Sequence, residues 1–273
     1  YFNLISQINI YSTIASFFFV IVGGKLFGIF GVMFGLVASQ VVQMLIGIYF
    51  VRVVVVSSGD KWCLHDAAPA IGLLLTNALP TVASSFAVSF VNWLVMVWIE
   101  RRSGLSELAV YNIANQWRAA MLFLPVTLGP LLIAKIASAN ARGTNIFFLI
   151  RRVLPATFFV GSLVYAVIFF SANYILMMYG DNFYGGGEIF LLITFSAVVI
   201  SINNVLSKFM ISAGYIKGVV LMDGIWAAVF LVTVAILIDE WSIFGVAWAA
   251  IGAAVVQLVA QIVTFKYYEV KRS

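Results

Sequence analysis

Long runs of apolar residues dominate the chain, and charges, glycines or polar residues end each run. A membrane-spanning helix needs about 20 consecutive, mostly apolar residues, and eight runs meet that length. They cover residues 4–24, 27–51, 68–99, 109–134, 153–178, 188–213, 218–238 and 243–265. The pattern predicts an all-α polytopic membrane protein with eight transmembrane helices, and Pro80 is expected to kink the long third run.

The composition excludes a water-soluble fold. Of the 273 residues, 64% are hydrophobic and only 9% are charged, whereas a soluble domain carries about 45–50% apolar and about 25% charged residues. So few charged side chains cannot cover the surface of a soluble globule. The single Cys63 and the single His65 exclude a disulfide framework within the chain and a zinc site rich in these residues. We therefore expect neither a metal nor a cofactor.

The distribution of basic residues predicts the orientation, because Lys and Arg concentrate on the cytoplasmic side of membrane proteins. If residue 1 is cytoplasmic and the spans alternate, eleven Lys and Arg residues fall in inside segments. Only Lys25, Arg101 and Arg102 fall in outside segments. This bias predicts a multi-pass protein of the cell (inner) membrane with both ends of the segment cytoplasmic. Topology thus explains the net charge of +5, and a nucleic-acid partner is not needed.

An internal repeat links the second and last runs. The sequence IFGV at 29–32 recurs at 243–246, and VVQ at 41–43 recurs at 255–257, both with an offset of 214 residues. Both runs cross the membrane in the same direction in the predicted topology. A parallel repeat of this kind implies two lobes related by an axis along the membrane normal.

The repeat also predicts the domain organisation. Residues 1–51 would be the last two helices of an N-terminal six-helix lobe, and residues 52–67 a cytoplasmic linker between lobes. Residues 68–273 would form a complete C-terminal lobe of six helices. On this interpretation the first four helices of the N-terminal lobe precede Tyr1, so we expect the chain to be truncated at its N-terminus.

Three segments carry recognisable sequence motifs. The sequence LAVYNIA at 108–114, with Leu124-Pro125 after it, is similar to the eighth span of polysaccharide flippases of the Wzx type. MYGDNFY at 178–184 resembles their short outer loop, and IFGVAWAA at 243–250 resembles their last span. These flippases belong to the multidrug/oligosaccharidyl-lipid/polysaccharide exporter superfamily, whose members consist of two six-helix lobes.

The resemblance implies a transporter and not an enzyme. Such a flippase moves an undecaprenyl-diphosphate-linked oligosaccharide from the inner to the outer leaflet for surface polysaccharide synthesis. It works by alternating access coupled to an ion gradient. The implied partners are the lipid-linked oligosaccharide, membrane lipid, a coupling proton or sodium ion, and polysaccharide-assembly proteins. A cationic cavity with amide and hydroxyl groups suits a diphosphate-sugar headgroup that must leave water.

Arg118 is the strongest candidate for binding such a substrate. It lies inside the fourth predicted span, where a charge costs at least about 2.5–3.5 kcal/mol. Tyr111, Asn115 and Arg118 are spaced i, i+4 and i+7, so they share one helix face. This polar stripe could contact phosphate and sugar hydroxyls. The alternative is an Arg that pairs with a carboxylate or with carbonyl groups only to lock two helices together.

Asp223 is the candidate ion-coupling residue, near the inner end of the seventh predicted span. At the repeat offset it corresponds to Asn9, so both lobes would place a polar group there. It could bind a proton or a sodium ion, or pair with Arg118. The alternative is a carboxylate that only reaches the headgroup region.

Basic side chains near the inner helix ends have simpler interpretations. Lys135 and Lys208 are expected to extend their ammonium groups to the lipid headgroups. Arg142, Arg151 and Arg152 are interpreted as topology determinants or contacts for anionic lipids.

Two other functions stay open at this point. A multidrug or organic-cation exporter of the same superfamily would favour an aromatic and acidic cavity, whereas Arg118 favours an anion. A membrane-embedded polysaccharide polymerase or acyltransferase is the alternative from another class. It would be expected to carry a large outer loop or a His/Asp cluster, and the sequence has one histidine, His65, and short outer loops.

Overall fold

The computed structural model describes residues 2–57, 72, 74–141 and 146–272. The helices are α1 (Phe2–Ser57), α2 (Leu79–Ser103), α3 (Leu105–Ala141), α4 (Ile146–Tyr179), α5 (Gly187–Ser212) and α6 (Ile216–Arg272). A π-helical turn, Leu74–Ala78, precedes α2, and a 3₁₀ turn, Asp181–Gly186, joins α4 to α5. The chain divides into two compact units, residues 1–71 and 72–273. Residues 58–67 of the predicted linker lie outside the described residues, and the assignment of the units to two lobes stays a prediction.

Six helices in the described part of the chain are long and apolar enough to cross a membrane. The expectation of an all-helical multi-pass membrane protein is confirmed at this level, but the count of eight spans is not supported. The first two predicted spans lie in one helix, α1, and the last two lie in α6. In each of these two helices, one residue near the junction of the two predicted spans departs from helical dihedral angles.

The interruptions in α1 and α6 have nearly the same geometry. Gly28 has φ 60° and ψ −139°, and Ser242 has φ 52° and ψ −136°. The two positions are 214 residues apart, which is the offset of the sequence repeat. Positive φ is strained for a serine, and polar contacts compensate at Ser242. Its hydroxyl lies 2.7 Å from the hydroxyl of Ser103 and 2.7 Å from a carboxylate oxygen of Glu107.

Both helices fold back on themselves at these residues. In a straight helix, residues eight positions apart are separated by about 12 Å. A Cβ placed on Gly31 would instead overlap the carbonyl oxygen of Gly23, and one placed on Gly245 would lie 2.7 Å from the carbonyl oxygen of Leu237. Gly31 and Gly23 correspond to Gly245 and Leu237 at the repeat offset. Each of α1 and α6 is therefore a helical hairpin with glycine at its closest crossing.

Within the second unit, α5 is the central helix and packs against α3, α4 and α6. Phe190 and Ile193 of α5 and Phe230 of α6 have no exposed surface. The second half of α6 contributes small residues to the same core, including Ala247 and Ala253. Small side chains allow close helix packing where lipid provides no hydrophobic driving force. This packing brings polar side chains from four helices close together in the middle of the unit.

Pro80 lies at the start of α2, and the kink expected there in the third predicted run stays a prediction. The proline is in the first turn of α2, directly after the π-helical turn Leu74–Ala78. A proline is tolerated in a first turn because its missing N–H has no partner within the helix. The change from π to α geometry thus occurs just before Pro80.

The two ends of the second unit differ in charge. The turn at Gly104 and the bend at Ser242 lie at the same end, since Arg102 pairs with Asp239 at 2.8 Å. We call this the acidic end, although it also carries Arg101 and Arg102; its carboxylates are Glu100, Glu107, Glu188, Asp239 and Glu240. The opposite, basic end carries Lys135, Arg151, Arg152, Lys208 and Lys217. Which end faces the cytoplasm stays a prediction.

Candidate functional site

A partly open polar cavity of about 240 Å³ lies in the second unit and is lined by α2, α3, α5 and both halves of α6. Its walls combine one cation and one carboxylate with amides, a hydroxyl and a few apolar side chains. The polar lining consists of Asn92, Arg118, Asn203, Asn204, Ser207, Asp223 and Gln257. The cavity therefore brings Arg118 together with Asp223, the two charged residues that the sequence analysis selected.

Both charges lie well inside apolar helices. Arg118 is about 20 Å along α3 from its first residue, Leu105, and Asp223 is about 10 Å along α6 from its first residue, Ile216. Both positions fall within segments long and apolar enough to cross a membrane. Ionisable side chains at such depth are costly and commonly line binding or transport paths.

The carboxylate of Asp223 is held by hydrogen bonds from two other segments. Its Oδ2 accepts from the Ser84 hydroxyl at 2.8 Å, and its Oδ1 accepts from the Gln257 amide at 3.1 Å. The Gln257 carbonyl oxygen in turn accepts from the Asn203 amide at 3.1 Å, and that amide also donates to the backbone oxygen of Ala254. Hydrogen bonds to a charged group contribute about 1.5–3 kcal/mol each. This network fixes Asp223 between α2, α5 and the second half of α6.

Arg118 and Asp223 face the same cavity without pairing. Within the described residues, the carboxylate oxygens of Asp223 bind Ser84 and Gln257, and no ion pair joins them to Arg118. In this conformation, therefore, no ion pair between Arg118 and Asp223 holds α3 against α6. A guanidinium group offers five N–H donors in a fixed planar arrangement. Arg118 can therefore present donors to a polar group inside the cavity.

Tyr111 and Asn115 do not line the cavity. Tyr111 is 1% exposed and packs in the core, and in the described structure its hydroxyl has no hydrogen-bond partner. Both polar atoms of the Asn115 amide are also buried without a partner among these residues. An unpaired buried polar group costs about 1–3 kcal/mol. The predicted stripe is thus divided, with Arg118 in the cavity and the other two side chains packed between it and the acidic end.

No family model, curated protein or solved structure significantly matches the chain. The interpretation of the site therefore depends on its own geometry and chemistry. Within the described segments, no three His, Cys, Asp or Glu side chains lie close enough together to hold a metal ion. The cavity groups can donate hydrogen bonds, accept them and compensate charge.

Sequence reasoning missed the partners of Asp223. Ser84 carries no signal in the sequence, because a serine in an apolar run usually bonds to its own helix. Gln257 and Asn203 gave a partial signal, since they are amides within apolar segments. Gln257 is also the repeat equivalent of Gln43, which lines a separate cavity of about 470 Å³ within the first unit. The repeat alignment pairs these two glutamines, but it does not indicate that Gln257 bonds to Asp223.

Proposed function

We propose that this protein is a transporter that moves an undecaprenyl-diphosphate-linked oligosaccharide from the inner to the outer leaflet for surface polysaccharide synthesis. The activity would be that of flippases of the Wzx type in the multidrug/oligosaccharidyl-lipid/polysaccharide exporter superfamily. The observation that supports it most is Arg118, a cation placed deep in an apolar helix and facing a polar cavity. A purely structural role gives no reason for an open polar space around that charge.

The chemistry of the cavity suits a diphosphate-sugar headgroup. Arginine binds phosphate oxygens through two parallel N–H donors, which replaces the hydration that the phosphate loses. Asn92 and Asn204 add amide donors and acceptors suitable for sugar hydroxyls. The lipid tail would stay in the bilayer while the headgroup crosses.

Asp223 supplies the coupling in this proposal. A negative carboxylate near Arg118 disfavours an incoming diphosphate, because like charges repel strongly at low dielectric. Binding of a proton or a sodium ion to Asp223 would remove that repulsion. Ion binding and substrate binding would then favour each other, as thermodynamic linkage requires.

The unpaired polar atoms of Tyr111 and Asn115 fit alternating access. While these atoms are buried against neighbouring helices, their missing hydrogen bonds destabilise that state. The destabilisation falls when the atoms form hydrogen bonds to water or to sugar hydroxyls. Separation of α3 from its neighbours at the acidic end would expose them. In the proposal they bind substrate in the outward-open state together with Arg118.

The eight-span topology belongs to the same proposal. Each hairpin, α1 and α6, would contribute two spans, with Gly28 and Ser242 at the outer surface. The equal geometry of the two bends at the repeat offset supports two lobes with the same fold. The basic end would face the cytoplasm of a cell with this protein in its inner membrane, following the charge bias of membrane proteins.

One observation favours a second candidate, an exporter of organic cations from the same superfamily. Asp223 places a carboxylate in the cavity wall beside Trp226, and this combination could bind a cation. The two candidates differ in which charged residue contacts the substrate. A membrane-embedded polymerase or acyltransferase gains no support from the cavity.

The test is the lipid content of a host in which the gene is deleted. The proposal predicts accumulation of the complete lipid-linked oligosaccharide, detected by mass spectrometry and cleared by the wild-type gene. An Arg118→Ala variant should clear it at least about tenfold more slowly, since hydrogen bonds from a charged group are lost. The matched control is Arg101→Ala, which removes an exposed charge at the acidic end. A normal lipid pool with altered sensitivity to cationic drugs would contradict the proposal and favour the exporter.

A further inference from the structure

A second, larger pocket opens on the outside of the second unit, away from the polar cavity. It is a groove of about 550 Å³ between α3, α4 and α5. Its walls are almost entirely apolar, with Leu128 and Leu131 on one side and Val160 on the other, and each of these is at least 43% exposed. A groove of this kind in a membrane-spanning helix bundle is suited to an apolar chain.

The groove carries positive charge at one end only. Lys135 of α3 and Arg152 of α4 are both exposed and both line it. Each lies six residues from the helix end that borders the 142–145 connection, so the two charges are at a similar depth. The lining contains no acidic residue. The groove therefore has apolar walls that suit an acyl chain and a cationic end that suits an anionic headgroup.

We propose that this groove binds an anionic membrane phospholipid. One acyl chain lies along α3, α4 and α5, and Lys135 and Arg152 bind the phosphate. Basic clusters at helix ends attract anionic lipids by about 1 kcal/mol per charge, which is about fivefold in affinity. The site is independent of the proposed transport function, because Arg118 and Asp223 line a different cavity.

Native mass spectrometry of the purified full-length protein tests the headgroup preference. The probes are phosphatidylglycerol and phosphatidylcholine with the same acyl chains. Wild-type protein should retain phosphatidylglycerol preferentially, and a Lys135→Gln/Arg152→Gln variant should lose about fivefold of that preference for each charge removed. The matched control is Lys217→Gln, which removes another exposed charge of the basic end, on α6 and outside the groove lining. The control should keep the wild-type preference.

A second variant tests the apolar part of the site. Ala156 is exposed and lines the groove, so Ala156→Phe should fill the groove without disturbing the core. It should reduce retention of phosphatidylglycerol at an unchanged melting temperature. Equal retention of both lipids by the wild-type protein would overturn the proposal, as would an equal loss in Lys217→Gln or full retention in Ala156→Phe. Displacement of phosphatidylglycerol by an equimolar polyprenyl phosphate would also overturn the assignment to a phospholipid.

Discussion

The hairpin in α6 depends on the absence of a side chain at Gly245. A Cβ at this position would lie 2.7 Å from both the Cβ and the carbonyl oxygen of Leu237, about 0.7 Å below the 3.4 Å at which ordinary contact begins. The two halves of α6 would have to separate, and overpacking of this kind costs about 1–3 kcal/mol. At about 2–4 °C per kcal/mol, Gly245→Ala should lower the melting temperature by about 2–12 °C.

The matched control is Gly252→Ala in the same half of α6. Gly252 is exposed, and a Cβ there would meet nothing within 4 Å. Alanine is the better helix former by about 1 kcal/mol, so this control should be neutral or slightly stabilising. The assay is thermal unfolding of the purified protein in detergent. Equal melting temperatures for the two variants would refute the hairpin, because in a straight helix Gly245 and Leu237 do not meet.

Three further substitutions test the polar contacts of the second unit. Gln257→Leu removes a hydrogen bond to Asp223 and should lower stability by about 1–3 kcal/mol; additivity with Asp223→Ala, which removes the acceptor, in a double-mutant cycle of thermal unfolding would contradict this coupling. Arg102→Gln should change stability by less than about 1 kcal/mol, because its pair with Asp239 is more than half exposed, and a larger shift in melting temperature would refute that estimate. Tyr111→Phe removes an unpaired buried hydroxyl, so the melting temperature should stay level or rise. Clearance of lipid-linked oligosaccharide should become slower. A lower melting temperature would show that the hydroxyl has a partner.

The sequence predicted the helical fold because the length and apolarity of each run determine a membrane span almost alone. It could not determine how the first and last pairs of runs are joined. Gly28 and Ser242 each interrupt the helix at a single residue, and close approaches such as Gly245 to Leu237 depend on geometry that an apolar pattern does not encode. The repeat offset of 214 residues did relate the two bends, since identical segments follow both.

The candidate site was predictable only where a charge interrupts an apolar run. Arg118 and Asp223 stand out for that reason, and both line the cavity. Helical spacing placed Tyr111 on the face of Arg118, but spacing does not reveal which residues of a face contact a neighbouring helix. The bond from Ser84 to Asp223 joins residues 139 positions apart. Such a contact follows from tertiary packing and leaves no local pattern.

The most direct test of the central claim is a flipping assay with the full-length protein reconstituted in vesicles. Labelled lipid-linked oligosaccharide is placed in one leaflet, and its appearance in the other is followed by accessibility to a lectin, with an ion gradient imposed. The account predicts rapid transfer by the wild-type protein and by Arg101→Ala, and transfer at least about tenfold slower by Arg118→Ala. Transfer by Arg118→Ala at the wild-type rate, in protein of normal stability, would contradict it.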